Sequence, residues 1–254
     1  MLLDDKLKKL QNIDLEKPDS VLSIYLNTNP ANKTGDWKLK LKNGLNSFEN
    51  YLIQSEDKQE LRKFKKVRKE VEDYIFANQL QLQKGIVLFI SSEESLWFVE
   101  HLQMDIKTEF HWREYPVTDQ LYQLKAEFPK SGIILVQQSK VKVIEAELGA
   151  VLETWQFQLD MDEGEWHQFK EGASHEEMET GQQSFSLNQS RWYKRLAPKL
   201  DRLAAEKAWV NIYLIGDKEE INTVNTHMNK PVDKLEHRNL LNHDESKIIH
   251  TIVA

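Results

Sequence analysis

Apolar positions along the chain follow two periods, and their order implies two successive folding units. Residues 20–27 form a β-branched and aromatic run closed by Asn29, Pro30 and Gly35, which predicts a buried strand followed by turns. Asp36 is placed to cap a helix whose apolar residues Leu41, Leu45, Phe48 and Leu52 recur at helical spacing. Residues 58–75 carry a second such stripe, Leu61, Phe64, Val67, Val71, Tyr74 and Ile75, and Arg62, Lys63, Lys65, Lys66, Arg68 and Lys69 crowd the remaining surface. Residues 85–90 read as another buried strand, with 96–99 as its hairpin partner. The segment 104–116 alternates only weakly, and 119–128 reads as a short helix stopped by Pro129. A boundary is expected at 125, with an α/β domain bearing basic helices over 1–125 and a second domain over 126–254.

In the second half, runs at 132–136, 141–144 and 149–159 are joined by short turns, which predicts an antiparallel meander. A helix over 190–207 follows, with Trp192, Leu196, Leu200, Leu203 and Ala204 inward; Pro198 is expected to kink or split it. A strand at 209–215, a helix at 217–228, a short strand at 234–240 and a helix at 243–253 complete the chain. That element order is the order of a ribonuclease-H-like three-layer domain with a mixed sheet, so the fold class is α/β throughout.

Composition changes this picture in one place. The 254 residues hold 41 acids and 34 bases, a formal charge of −7. Asp160, Asp162, Glu163, Glu165, Glu171, Glu176, Glu177 and Glu179 against Lys170 alone put all of that −7 into an insert over 160–180. Everything else is balanced, so the total does not exclude a nucleic-acid partner. No run approaches the ~18–20 apolar residues of a membrane span, and the start is charged where a signal peptide would be apolar. A cytoplasmic protein without membrane contact is expected. With zero cysteines there is no thiolate chemistry and no cysteine-ligated metal.

The candidate chemistry is narrow. A metal-dependent nuclease on this fold needs a carboxylate on the leading strand, where this chain has Gln137 and Gln138. His167 and His175 lie among acids at no ligand-helix spacing, in what reads as a mobile solvated loop, so neither metal nor cofactor is expected. Two basic stretches point instead to a phosphate backbone. One holds Lys38, Lys42, Lys63 and Lys66, and the other holds Arg191, Lys194, Arg195 and Lys199 with Trp192 and Tyr193 interleaved. Between the acidic insert and the second stretch, residues 181–190 read as a polar, flexible linker able to present a glutamine.

Residues 21–28, 85–91, the meander from Ile133 and the strand at 212–217 together resemble the bacterial archaeo-eukaryotic release factor family, relatives of class 1 release factors and Pelota. The resemblance implies a ribonuclease-H-like middle domain without nuclease residues, a ribosome or tRNA partner rather than DNA, and a Gly-Gly-Gln loop acting in translation termination or ribosome rescue. Two placements of that loop are open. Gly181, Gln182, Gln183 and Ser184 match its start, with Leu187 where an arginine would stand; alternatively Asn188, Gln189 and Ser190 match it, followed by the basic aromatic start of the helix. Gln183 and Gln189 are thus the candidate catalytic residues for peptidyl-tRNA ester hydrolysis, by orienting water and stabilising an oxyanion. Both placements lack the glycine pair, which leaves hydrolysis open and a non-catalytic interaction protein as the alternative.

Overall fold

The computed structural model describes residue 10 and residues 20–32, 35–93, 95–170 and 182–253, with backbone only at 170, 182–187 and 253. The chain forms two compact units that divide between Tyr122 and Gln123.

The first unit consists of β1 (Val21–Asn27), α1 (Asp36–Gln54), α2 (Lys58–Ala77), β2 (Gly85–Ser91), β3 (Trp97–Leu102) and β4 (Glu109–Arg113). Its sheet runs β3-β2-β1-β4, antiparallel throughout. The weakly alternating segment supplies the edge strand β4, because Phe110 and Trp112 pair opposite Ile24 and Leu22 and share their face. On that face Leu41, Leu45 and Leu52 of α1 and Phe64, Val67, Val71 and Ile75 of α2 close the core over Leu22, Ile24, Ile86 and Leu88. Asp57 starts α2 by accepting the Glu60 N–H at 2.9 Å. Gly44 lets α1 approach the sheet, since a Cβ there would collide with the Phe110 ring.

Helix α3 (Asp119–Glu127) spans the division. The second unit then comprises β5 (Ser131–Gln137), β6 (Lys140–Glu147), β7 (Ala150–Asp160), β8 (Glu165–Lys170), α4 (Gln182–Lys207), β9 (Asn211–Gly216), α5 (Lys218–His227), β10 (Lys234–Glu236) and α6 (Glu245–Val253). The sheet order is β10-β9-β5-β6-β7-β8, with β10, β9 and β5 parallel and β5 to β8 an antiparallel meander. This is a ribonuclease-H-like mixed sheet extended by one edge strand. Helices α4 and α5 pack on one face, where Tyr193, Leu196, Leu200, Ile221 and Val224 meet Ile134, Val143 and Phe157. Helix α6 covers the other, with Ile248, Ile249 and Ile252 against Ile133, Leu135 and Ile144.

Three expectations are corrected. The acidic insert is not loop throughout: Glu165–Lys170 is strand β8, paired along β7, because Trp166 is an apolar anchor at 2% exposure whose burial outweighs the charge around it. The linker over 181–190 is not a flexible presented loop within the described residues. Helix α4 begins at Gln182, since the stretch from there to Ser190 has no glycine or proline and continues a helix already fixed by Trp192 and Tyr193. Pro198 does not split α4 into two elements. It stands on the solvent side, with Lys194 four residues back equally exposed, so water can solvate the carbonyl that loses its donor.

Trp166 ties β8 to α4: its indole N–H donates to the Trp192 carbonyl at 2.9 Å, and its ring stacks on Tyr193 at 6.3 Å between centroids. Trp166→Ala is expected to cost about 3–5 kcal/mol in urea unfolding, and a loss under about 1 kcal/mol would show that β8 is dispensable to the core.

Candidate functional site

Two features of the second unit carry unused polar chemistry. The first lies at the carboxyl ends of the parallel strands β5 and β9, where strand order reverses and open α/β sheets form a crevice. Gly216 ends β9 against β5, and a Cβ there would collide with the Val136 carbonyl. Beyond it opens a cleft of about 490 Å³, bounded by Gln137 and Gln138, by Asp217, Lys218 and Glu220, and by the residues following β10.

The wall of that cleft is held by a buried network. The Glu220 carboxylate accepts the Gln138 N–H at 3.0 Å, and the Tyr193 hydroxyl donates to the Gln138 carbonyl at 3.2 Å. Tyr193 also shares its hydroxyl proton with Glu220 and accepts from the Gln189 amide. Burial pushes the Glu220 carboxyl above the usual carboxylate range, and Asp217 adds to the shift while the Gln138 N–H opposes it. Burial likewise raises the Tyr193 phenol. Asp217 caps α5 by accepting the Glu219 N–H at 2.9 Å. Both acids of this region therefore face protein donors, an arrangement unlike the open carboxylate pair that holds divalent cations.

The second feature is the outer face of α4. Arg191, Lys194, Arg195 and Lys199 are all exposed and recur at helical spacing. Among the described residues none of the four has a carboxylate within ion-pair distance. Arg191 and Arg195 lie 5.5 and 5.8 Å from the Trp192 ring centroid, and Arg195 also donates to the Gly164 carbonyl. Further along, Arg202 pairs with Glu206 at 2.7 Å and Lys207 with Glu153 at 2.6 Å, so the unpaired stripe ends near Lys199.

The N-terminal candidates are arranged differently. Lys63 is half-buried beside Glu60 at 4.0 Å, Lys66 donates to the Ser92 carbonyl at 3.4 Å, and Lys38 donates to Gln79 at 3.2 Å; Lys42 is exposed. Their neighbours are neutralised as well: Lys40 by Asp36, Lys65 by Glu49, and Arg68 by Glu49 and Glu72. What looks in sequence like one cationic surface is in part a set of local pairs, with Lys42, Arg62 and Lys69 exposed beside them.

Of the candidate catalytic glutamines, Gln189 sits half-buried on α4 with its amide engaged by Tyr193. Gln183 lies in the first turn of α4, and its side chain, like Gly181 and His175, falls outside the described residues. Next to Gln189, the Ser190 hydroxyl is 3.2 Å from His227 Nε2. At the β7–β8 turn, ligand atoms of Asp160, Glu163 and His167 lie within 4.8 Å of one another. There Asp160 is occupied by the Asp162 and Glu163 N–H groups, which close the turn. The Tyr193–Gln138–Glu220 network escapes sequence reasoning because its members are 82 residues apart at the widest. The amide pair at the end of β5 is its only sequence signal.

The model of bacterial archaeo-eukaryotic release factor family 5 matches residues 129–254. Uncharacterized protein YocB of Bacillus subtilis (strain 168) is 36% identical over 259 residues, covering 100% of this chain and 99% of that protein. Among solved structures, an archaeal protein aligns over 99% of this chain and 70% of its own at 14% identity and a TM-score of 0.32. The archaeal translation termination factor aRF1 aligns over 98% and 72% at 14% identity, also with a TM-score of 0.32. Among the described residues no helix is long and apolar enough to cross a membrane.

Because burial raises the folded pKa of Glu220 above its unfolded value, the folded state holds its proton to higher pH. The stability that this group contributes is therefore present at low pH and lost as pH rises through the raised value. Glu220→Gln keeps an oxygen for the Gln138 N–H and removes the desolvated charge. Thermal melts should show the variant at or above wild type at pH 7, with the gap closing toward pH 4 as the wild-type carboxyl protonates; a variant that is less stable at pH 7 would contradict this.

Proposed function

Since the chain belongs to bacterial archaeo-eukaryotic release factor family 5, we propose that it is a ribosome- or tRNA-associated factor of the translation termination or rescue type, docking on RNA through the outer face of α4. The observation that carries this reading is the row of exposed cations Arg191, Lys194, Arg195 and Lys199, unpaired among the described residues, on a helix seated rigidly in the core. Unpaired cations release counterions when they meet phosphates, whereas cations already bridged to carboxylates gain little by exchanging partners. Lys63, beside Glu60, therefore contributes less to such docking than the stripe on α4, and Lys38, Lys42 and Lys66 form a second basic surface.

Docking without ester hydrolysis is the form of the function best supported. The family's loop needs a glutamine free to reach an ester carbonyl, whereas Gln189 is fixed in a helix with its amide on Tyr193. Gln183, at the start of the same helix, is the other candidate for that role.

Co-sedimentation with ribosomes over a salt series tests the docking face. Wild type is expected to bind at low salt and to lose affinity steeply as salt rises; replacing Arg191, Lys194 and Lys199 with Glu should abolish most binding and flatten the log–log salt slope by about 2–3. The same change at Lys63 and Lys66 should have the smaller effect. Absence of ribosome or tRNA association at any salt would leave a family member that uses its fold for other contacts.

A further inference from the structure

The cleft beyond Gly216 has a feature that docking on α4 does not require. β5 and β6 are joined by the two residues Gln138 and Ser139, since Gln137 pairs with Lys140. Gln138 takes φ +49°, the left-handed region usually filled in such turns by Gly or Asn. A glutamine is conformationally unfavourable there. Its backbone is held in place from both sides, by Glu220 on the N–H and Tyr193 on the carbonyl, two buried residues from different helices. The side chain is left exposed on the cleft wall, with no hydrogen-bond partner among the described residues. A residue strained in its backbone and free in its side chain is arranged for a contact outside the chain.

The rest of the lining defines that contact. Gln137 and Asn239 add two more side-chain amides, each able to donate and accept in one plane. Lys218, exposed on the first turn of α5, brings one ammonium to the cleft edge. Leu240 and Leu241 supply a half-buried apolar wall. Asp217 and Glu220 are turned to backbone donors, and Arg238 is bridged to Glu236 at 2.8 Å, so the groups left for a ligand are amides, the His237 imidazole, one ammonium and leucines. Paired amides fit the donor–acceptor edge of a nucleobase, leucines fit its face, and an ammonium fits a phosphate. The volume of about 490 Å³ suits a ligand of that size.

We infer that this cleft binds a nucleotide, with Gln138 reading the base edge and Lys218 meeting the phosphate. The site shares no contact residue with the α4 face and stands independently of the proposed docking there. Two sources offer the same chemistry, a free mononucleotide and an unpaired nucleotide of an RNA strand.

Calorimetric titration of the full chain with AMP, GMP, CMP and UMP, the matching nucleosides, inorganic phosphate and unpaired RNA tetranucleotides separates the outcomes. At least one nucleotide or tetranucleotide should bind saturably, with the nucleoside or phosphate alone at least tenfold weaker. Gln138→Gly and Lys218→Ala should each weaken binding tenfold or more, while Gln138→Gly melts at or above wild type because glycine relieves the left-handed backbone. Reversing the α4 cations should leave mononucleotide affinity unchanged, which keeps this site distinguishable from the docking face. Binding by mononucleotides assigns the cleft to a free nucleotide, and binding by tetranucleotides alone assigns it to unpaired RNA. No binding of any probe at millimolar concentration, or affinity unchanged in both variants, overturns the inference.

Discussion

Everything proposed for the second unit depends on where one phenol ring points. Tyr193 is fully buried on α4, stacked on Trp166 of the edge strand, with its hydroxyl fixed to the Gln138 carbonyl and Glu220. A helix with a large ring locked in the core cannot rotate about its axis without opening a cavity or orphaning a buried hydroxyl, and either is costly. With Tyr193 inward, the periodicity of the helix forces Arg191, Lys194 and Lys199 outward. The same hydroxyl holds the turn that frames the cleft. The cationic face and the cleft wall are thus two consequences of one packing decision.

Pairing, more than the number of cations, distinguishes the two basic regions. In the first unit the helices carry their own acids at neighbouring positions, so Lys40, Lys63, Lys65 and Arg68 are answered by Asp36, Glu60, Glu49 and Glu72. On α4 the acids come late, Glu206 opposing Arg202 only at the carboxyl end. Exposed pairs of this kind add little stability, yet they remove charge from the surface a polyanion would meet. The helix pair of the first unit keeps a net positive charge, part of it answered by these local pairs, and it also closes the core of its own unit.

Much of the architecture was legible. The strands at 21–27, 85–91 and 131–160 and the helices over 36–54 and 58–77 follow from periodicity, because those elements are buried on one face and turn signals bound them; Asp36, expected as a cap, is instead the first residue of α1 behind Gly35 and pairs with Lys40. β8 was hidden by its own charge: a single tryptophan among acids decides the strand, and composition averages it away. The start of α4 was hidden for a related reason. Gln, Ser and Asn read as linker residues when counted locally, but they extend a helix whose nucleus, Trp192 to Leu196, lies downstream. At the site, the outward cations were foreseeable from spacing. The engagement of Gln189, the strained Gln138 and the buried Glu220 were not, since each depends on a partner brought close only by the fold.

Membership in bacterial archaeo-eukaryotic release factor family 5 gives the chain its ancestry, and the proposed docking on RNA rests on the outward cations of a helix packed in the core. The most direct test of that central claim is site-specific photo-crosslinking on ribosomes, from a reporter side chain at the exposed, uncharged position Pro198 within the α4 stripe and from a control at Tyr51, which is 67% exposed. The account predicts cross-links to ribosomal RNA or tRNA from position 198 that outnumber those from position 51. Equal yields from the two positions, or none from 198 in a ribosome-bound sample, would contradict it.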